Sequence, residues 1–232
     1  MNNLTLAGTM FTSPSAAFAE LRERPRFWLV LLVVLASAAG LQYWYFQTVD
    51  IEWLKDHLYS GNAQIQAMPE DARARMNASM TANTMSIGSL VAIIIFVPAM
   101  IALQAAYLLL AGKIVNVQKS YKHWFALLSW SSLPVLLGVV ASAVVLLMAG
   151  SNAQLSPSAL QLLSINELVL QLKPNDSGYQ LASTLGLLSM WTWALGIIGV
   201  RTWSGKSWTF SAIFYLLPLV VVYGVWAAIA FS

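Results

Sequence analysis

The hydrophobic positions of this chain run together in blocks. Five apolar stretches occupy residues 27–46, 84–111, 125–149, 183–203 and 208–231. Each reaches the roughly 20 residues that a helix needs to cross a hydrocarbon core about 30 Å thick. Between them lie two more polar segments, 47–83 and 150–182, where a helical rhythm appears. Ile51, Leu54 and Leu58 share one face, and Pro69, Glu70 and Asp71 open a second helix that can run unbroken into the second stretch. Asp71 and Arg75 stand one helical turn apart and suit an ion pair. The expected fold is all-α: a polytopic transmembrane helical bundle of five spans with short amphipathic surface helices. It forms a single membrane domain over residues 1–232.

The start of the chain reads in two parts. Residues 1–12 are polar and are expected to be flexible. Ser13 and Pro14 then make a helix opening, and Ala17, Phe18 and Leu21 recur on one face. An interfacial helix over 13–25 follows, ended by Pro25. Phe18 and Leu21 would sit at the membrane surface with Arg22, Arg24 and Arg26 among the headgroups. Those arginines, with Ala36-Ser37-Ala38 behind them, also resemble a signal peptide. The apolar run continues through Tyr43, Trp44, Tyr45 and Phe46, so a retained span is expected. Trp191, Trp193, Trp203 and Trp208 fall near span ends, where indole rings suit headgroup depth.

The second polar segment opens at Ser156-Pro157 and carries Leu160, Leu163, Leu168, Leu170 and Leu172. It reads as a surface helix over 157–173, with a re-entrant element as the alternative. Asn175-Asp176-Ser177-Gly178 reads as a turn.

Charge orients the bundle. Eight of the twelve basic residues fall before the first span and in the second and fourth connections: Arg22, Arg24, Arg26, Lys113, Lys119, Lys122, Arg201 and Lys206. The other side holds Lys55, Arg73, Arg75 and Lys173. The positive-inside rule then places the N-terminus in the cytoplasm and, with five spans, the C-terminus outside. The net charge of +3 forms no basic stripe, so nucleic acid is not an expected partner.

Chemistry is sparse. The five stretches contain no Asp or Glu, and the chain has no cysteine. His57 and His123 fall on opposite expected sides, which rules out a metal site between them. Gly205-Lys206-Ser207 lacks the upstream glycines of a phosphate loop. No enzymatic activity and no cofactor are expected. Polar groups do lie in or beside the second and third spans: Gln104, Tyr107, Asn116, Ser129, Ser131 and Ser132. With Pro98 and Pro134 nearby, they could line an intramembrane polar site. Their ordinary reading is contact between helices, as for the small residues Gly138 and Ser142.

Phe11, Pro14, Phe18, Leu21 and Pro25, and the run Ser120-Tyr121-Lys122-His123-Trp124-Phe125 leading to Ser129, Ser131, Ser132 and Pro134, resemble the Yip1-domain family of membrane proteins. The resemblance extends from about Phe11 to Phe231 and is to a bacterial-type member. It implies five spans in the orientation just derived and supplies no catalytic residues. A bacterial inner-membrane protein follows, one that binds or organises a protein or lipid partner. The alternative is a transporter or channel for a small solute, ion or lipid. Membrane lipids, a protein partner or a second copy of the chain are the partners implied.

Overall fold

Asn2 accepts a hydrogen bond from the Thr5 amide at 2.8 Å and caps a helix where a flexible start was expected. In the computed structural model, which describes residues 1–59, 65, 67–174 and 176–231, this helix is α1 (Asn3–Thr12). Leu6 and Met10, one turn apart, are fully buried. Ser13 turns the chain and Pro14 takes the first position of α2 (Pro14–Glu23). The two helices pack as a hairpin. Its open end is tied by the Met1 ammonium to Glu20 at 3.0 Å, and by Arg26 to both Glu20 at 3.4 Å and the Met1 carbonyl at 2.5 Å.

The Glu20 carboxyl is held below its ordinary value of 4.5, first by its hydrogen bond to the Met1 ammonium and then by the charges of that group, Arg26 and Arg24. A lowered folded-state value means that the carboxylate stabilises the hairpin above the unfolded value. That contribution disappears as pH falls through the lower folded one. Hydrogen exchange across residues 3–23 is therefore expected to quicken on acidification below about pH 4.5. Glu20→Gln should remove most of that pH dependence.

The long helices follow: α3 (Trp28–Thr48), α4 (Ile51–Tyr59), α5 (Glu70–Ser79), α6 (Ala82–Ile114), α7 (Tyr121–Ser131) and α8 (Val135–Ala149). After a 3₁₀ turn at Pro157–Leu160 and a π turn at Asn166–Leu170 come α9 (Tyr179–Thr184), α10 (Leu187–Ser204) and α11 (Trp208–Ala230). Among the described residues there is no strand, and the protein is all-α. Four helical stretches are long and apolar enough to cross a membrane: Trp28–Thr48, Ala82–Ile114, Tyr121–Ala149 and Trp208–Ala230. Their outer faces are apolar and uncovered, as Ile94, Phe96, Leu103, Val140 and Val220 show. Exposed apolar surface on that scale belongs against lipid. Helix α10 is not one of the four; Arg201 and its polar and aromatic residues dilute it.

Several boundaries differ from those read in the sequence. The helix from Pro69 does not run on into the second span. Met80 and Thr81 interrupt it, and a reciprocal capping box between Thr81 and Thr84 starts α6 afresh. The Asp71–Arg75 ion pair does form. The third stretch is broken at Ser132–Pro134, since Pro134 has no amide to continue the ladder. No surface helix fills 157–173. The Asn166 side chain clasps the Leu172 backbone in both directions, at 2.9 and 3.3 Å, and Gln171 takes a left-handed conformation. That closes a tight turn and leaves Leu168, Val169 and Leu170 exposed. Asp176 accepts from the Tyr179 amide in the turn read there, while Asn175 lies outside the described residues.

The bundle has two distinct ends. At one, Val49 and Ala153 form a parallel bridge, and Tyr45 Oη donates to the Leu155 carbonyl at 2.8 Å. Ser164 and Gly186 form an antiparallel bridge that ties the second polar segment to the start of α10. At the other, Lys206 Nζ donates to the Val115 carbonyl at 2.6 Å and His123 Nε2 to the Arg22 carbonyl at 3.1 Å. Helix α10 connects these two ends. Trp124, Trp203, Phe214 and Tyr215 fill the core near the second end, with Trp124 ringed at 5.6 and 5.7 Å by Trp203 and Phe214. Gly196 allows the Tyr215 ring to lie against the α10 backbone; a Cβ there would stand 2.1 Å from the ring.

Candidate functional site

The six polar residues singled out in the sequence do not assemble round one opening. Gln104 faces the Tyr215 hydroxyl in the core, although its buried amide nitrogen completes no hydrogen bond of good geometry. Tyr107 packs on Phe214 at 6.4 Å. Asn116 is exposed beyond α6 with φ 59°, a left-handed turn position that Asn tolerates. Ser129, Ser131 and Ser132 return their hydroxyls to the carbonyls of Phe125, Leu127 and Ser129, each at 2.8 Å. Such bonds use the one donor of each hydroxyl on a nearby backbone carbonyl and leave no O–H to offer a ligand. Replacing all three by alanine is expected to cost less than about 1 kcal/mol per site in thermal unfolding. It should leave ligand retention unchanged.

The membrane anchors also divide. Trp191 and Trp208 are partly exposed; Phe11 meets Trp191 edge-on at 5.5 Å, and the Arg201 guanidinium covers Trp208 at 4.2 Å. Arg22 and Arg24 reach solvent, whereas Arg26 is half-buried at the hairpin base. Phe18, Leu21 and Trp203 correct the surface reading, for all three are buried in protein. Trp203 Nε1 donates to the Phe18 carbonyl at 2.6 Å, and Gly199 makes room for the Phe18 ring. The apolar face of α2 is satisfied by α10 rather than by lipid.

Trp193, the remaining anchor, lines a cavity of about 640 Å³ at the bridged end. Its walls come from α3, α6, α8, α9 and α10, and the segment 157–164 covers one side of it. Ser142, on α8, donates to the Leu160 carbonyl at 2.6 Å and anchors that cover. The bridge at Ser164–Gly186 fixes its far edge, with backbone bonds of 2.7 Å from Ile165 to Leu185 and 2.9 Å from Leu187 to Leu163. Ile93, Val135, Val139 and Leu188 make the walls apolar. Among the described residues no charged side chain lines the cavity.

Polar residues line it nevertheless. Ser183 Oγ and Thr192 Oγ1 are buried without a hydrogen-bond partner. The Gln42 and Gln161 amides also line it. A buried hydroxyl left unpaired costs on the order of 1–3 kcal/mol, so these two are groups that a bound molecule or water would satisfy. Sequence reading missed this site because its parts lie on separate elements. The only local signal is the run of Ser183, Thr184, Ser189 and Thr192 at the start of an otherwise apolar stretch.

These features define an integral membrane protein of the α-helical, polytopic class with a neutral cavity at one end of its bundle. The Yip1 domain model matches residues 8–229, and the chain belongs to that family. Neither a curated protein nor a solved structure matches it.

Proposed function

We propose that this protein holds a lipid partner in the cavity at the bridged end and works by binding rather than by catalysis. The observation that carries the proposal is an uncharged, apolar-walled cavity with unpartnered hydroxyls, built between membrane helices. Its volume lies within the ordinary range for small-molecule sites. The exposed Leu168, Val169 and Leu170 belong to the same polar segment and suit insertion among outer-leaflet chains.

In this reading α10 is the fifth span. Its two ends are bound to opposite ends of the bundle, and the hairpin α1–α2 shields the face that its own composition leaves less apolar. The basic residues of α2, of the 115–122 connection and of the α10–α11 link share one end, which supports a cytoplasmic side for that end and the N-terminus by the positive-inside rule. The C-terminus and the cavity then face the periplasm of a bacterial inner membrane. A transporter would need the cavity to continue to the cytoplasmic end, where Trp124, Trp203 and Tyr215 fill the core.

The test is purification in nanodiscs from the native membrane, with mass spectrometry of what stays bound. A lipid enriched above its membrane abundance supports the proposal. A stoichiometric protein partner with no lipid enrichment replaces it with a protein-scaffolding role, and substrate-dependent flux through purified protein replaces it with transport.

A further inference from the structure

We infer that the cavity selects an amphiphile with an uncharged, hydrogen-bonding head, a lipid alcohol or ester such as a diacylglycerol, over lipids with ionised headgroups. The inference rests on the lipid-binding reading above and specifies its ligand.

Three observations converge. The first is charge: among the described residues no Asp, Glu, Lys, Arg or His lines the cavity. A phosphate brought inside would lose its hydration and meet no counter-charge, which is strongly unfavourable in an apolar surround. The second is the polar inventory. Ser183 Oγ and Thr192 Oγ1 each combine one donor with lone pairs and stand unpaired. Most other hydroxyls near them are already engaged: Ser142 with Leu160, Ser164 with the Glu167 amide, Ser189 with Gly186 and Thr184, and Thr184 with Gln180. These two hydroxyls, with the Gln42 and Gln161 amides on the lining, match a small uncharged polar head. The third is depth. Thr192 lies five residues past the start of α10, about 7.5 Å along its axis. That is beneath the helix end, at a level suited to ester or alcohol oxygens, and Val135, Val139 and Ile93 provide the apolar wall for a chain.

Water is the competing occupant of the two hydroxyls, and the ester region of a bulk phospholipid is the competing source of the same chemistry. The experiment separates them. The full chain is reconstituted in nanodiscs doped with equal amounts of dioleoylglycerol, dioleoylphosphatidylglycerol and dioleoylphosphatidylethanolamine, and retained lipid is measured by native mass spectrometry. Dioleoylglycerol should be enriched over both phospholipids. Thr192→Val combined with Ser183→Ala should weaken its retention on the order of tenfold. Thr192→Ser, which keeps the hydroxyl, should retain it; this variant and Thr192→Val alone carry the comparison if the double variant does not fold. Equal or greater retention of the ionised phospholipids, indifferent to these substitutions, would overturn the inference while leaving lipid binding intact. Retention of none of the three by the folded chain would leave the hydroxyls to water and overturn both.

Discussion

Replacing Gly186 by alanine is expected to unseat the cover of the cavity and to destabilise the protein by about 3 kcal/mol. The reason is space, since the backbone at Gly186 is extended and open to any residue. A Cβ there would stand 2.3 Å from the Leu163 carbonyl oxygen and 2.8 Å from Ser164 Cα. Both are backbone atoms and neither can turn aside. The strands of chain must part, and the bonds from Ile165 to Leu185 and from Leu187 to Leu163 weaken together. Hydrogen exchange at the Ile165 and Leu187 amides should quicken by on the order of 100-fold, with a lowered unfolding temperature. Gly88→Ala is the control: no neighbouring atom lies within 4 Å of its Cβ position, and a mid-helix alanine should leave stability unchanged or raise it slightly. Unchanged exchange in Gly186→Ala would mean that the cover is not held at this bridge.

Trp203→Ala is expected to cost about 3–5 kcal/mol, the range for deleting a large buried aromatic side chain. Trp203 is the post to which the N-terminal hairpin is tied. Its indole stands edge-on to Phe18 at 6.3 Å, packs on Trp124, meets His123 and donates to the Phe18 carbonyl. The substitution should release α1 and α2 before the rest of the bundle, read as fast exchange over residues 14–21. Trp203→Phe keeps one aromatic ring and loses the N–H donor and the volume of the second ring, so its cost should fall below that of alanine, at about 1–3 kcal/mol. Equal losses for the two variants would show that the single ring kept by phenylalanine does not hold the hairpin.

How much of this was legible in the sequence depends on where the deciding interactions lie. The apolar blocks announced the long helices because bilayer thickness sets their length. Ile51, Leu54 and Leu58 announced α4, and Ser13-Pro14 announced α2, because local chemistry decides both. Helix α1 was hidden: Leu6 and Met10 are set among Asn and Thr, and the cap at Asn2 was the one local clue. The destination of α2 was hidden too. An apolar face looks the same whether lipid or Gly199 and Trp203 will cover it. The 166–170 turn arises from the clasp of Asn166 and from pairing with residues around Gly186, where tertiary bonds override a helical rhythm. The cavity was the least legible part. Polarity in the sequence drew attention to Ser129, Ser131 and Ser132, yet those hydroxyls are spent on their own helices. Ser183 and Thr192 matter because nothing satisfies them, a property that appears only once five helices have met.

The bond between Trp203 and Phe18 spans 185 residues of chain. At common synthesis rates that separation corresponds to roughly 10–40 s of translation. The first helices made therefore wait for one of the last, with the Phe18 face of α2 incompletely covered until α10 arrives. Docking of the hairpin reports that α10 has been made, and a chain cut short before α10 leaves its opening segment as an apolar surface for quality control to find.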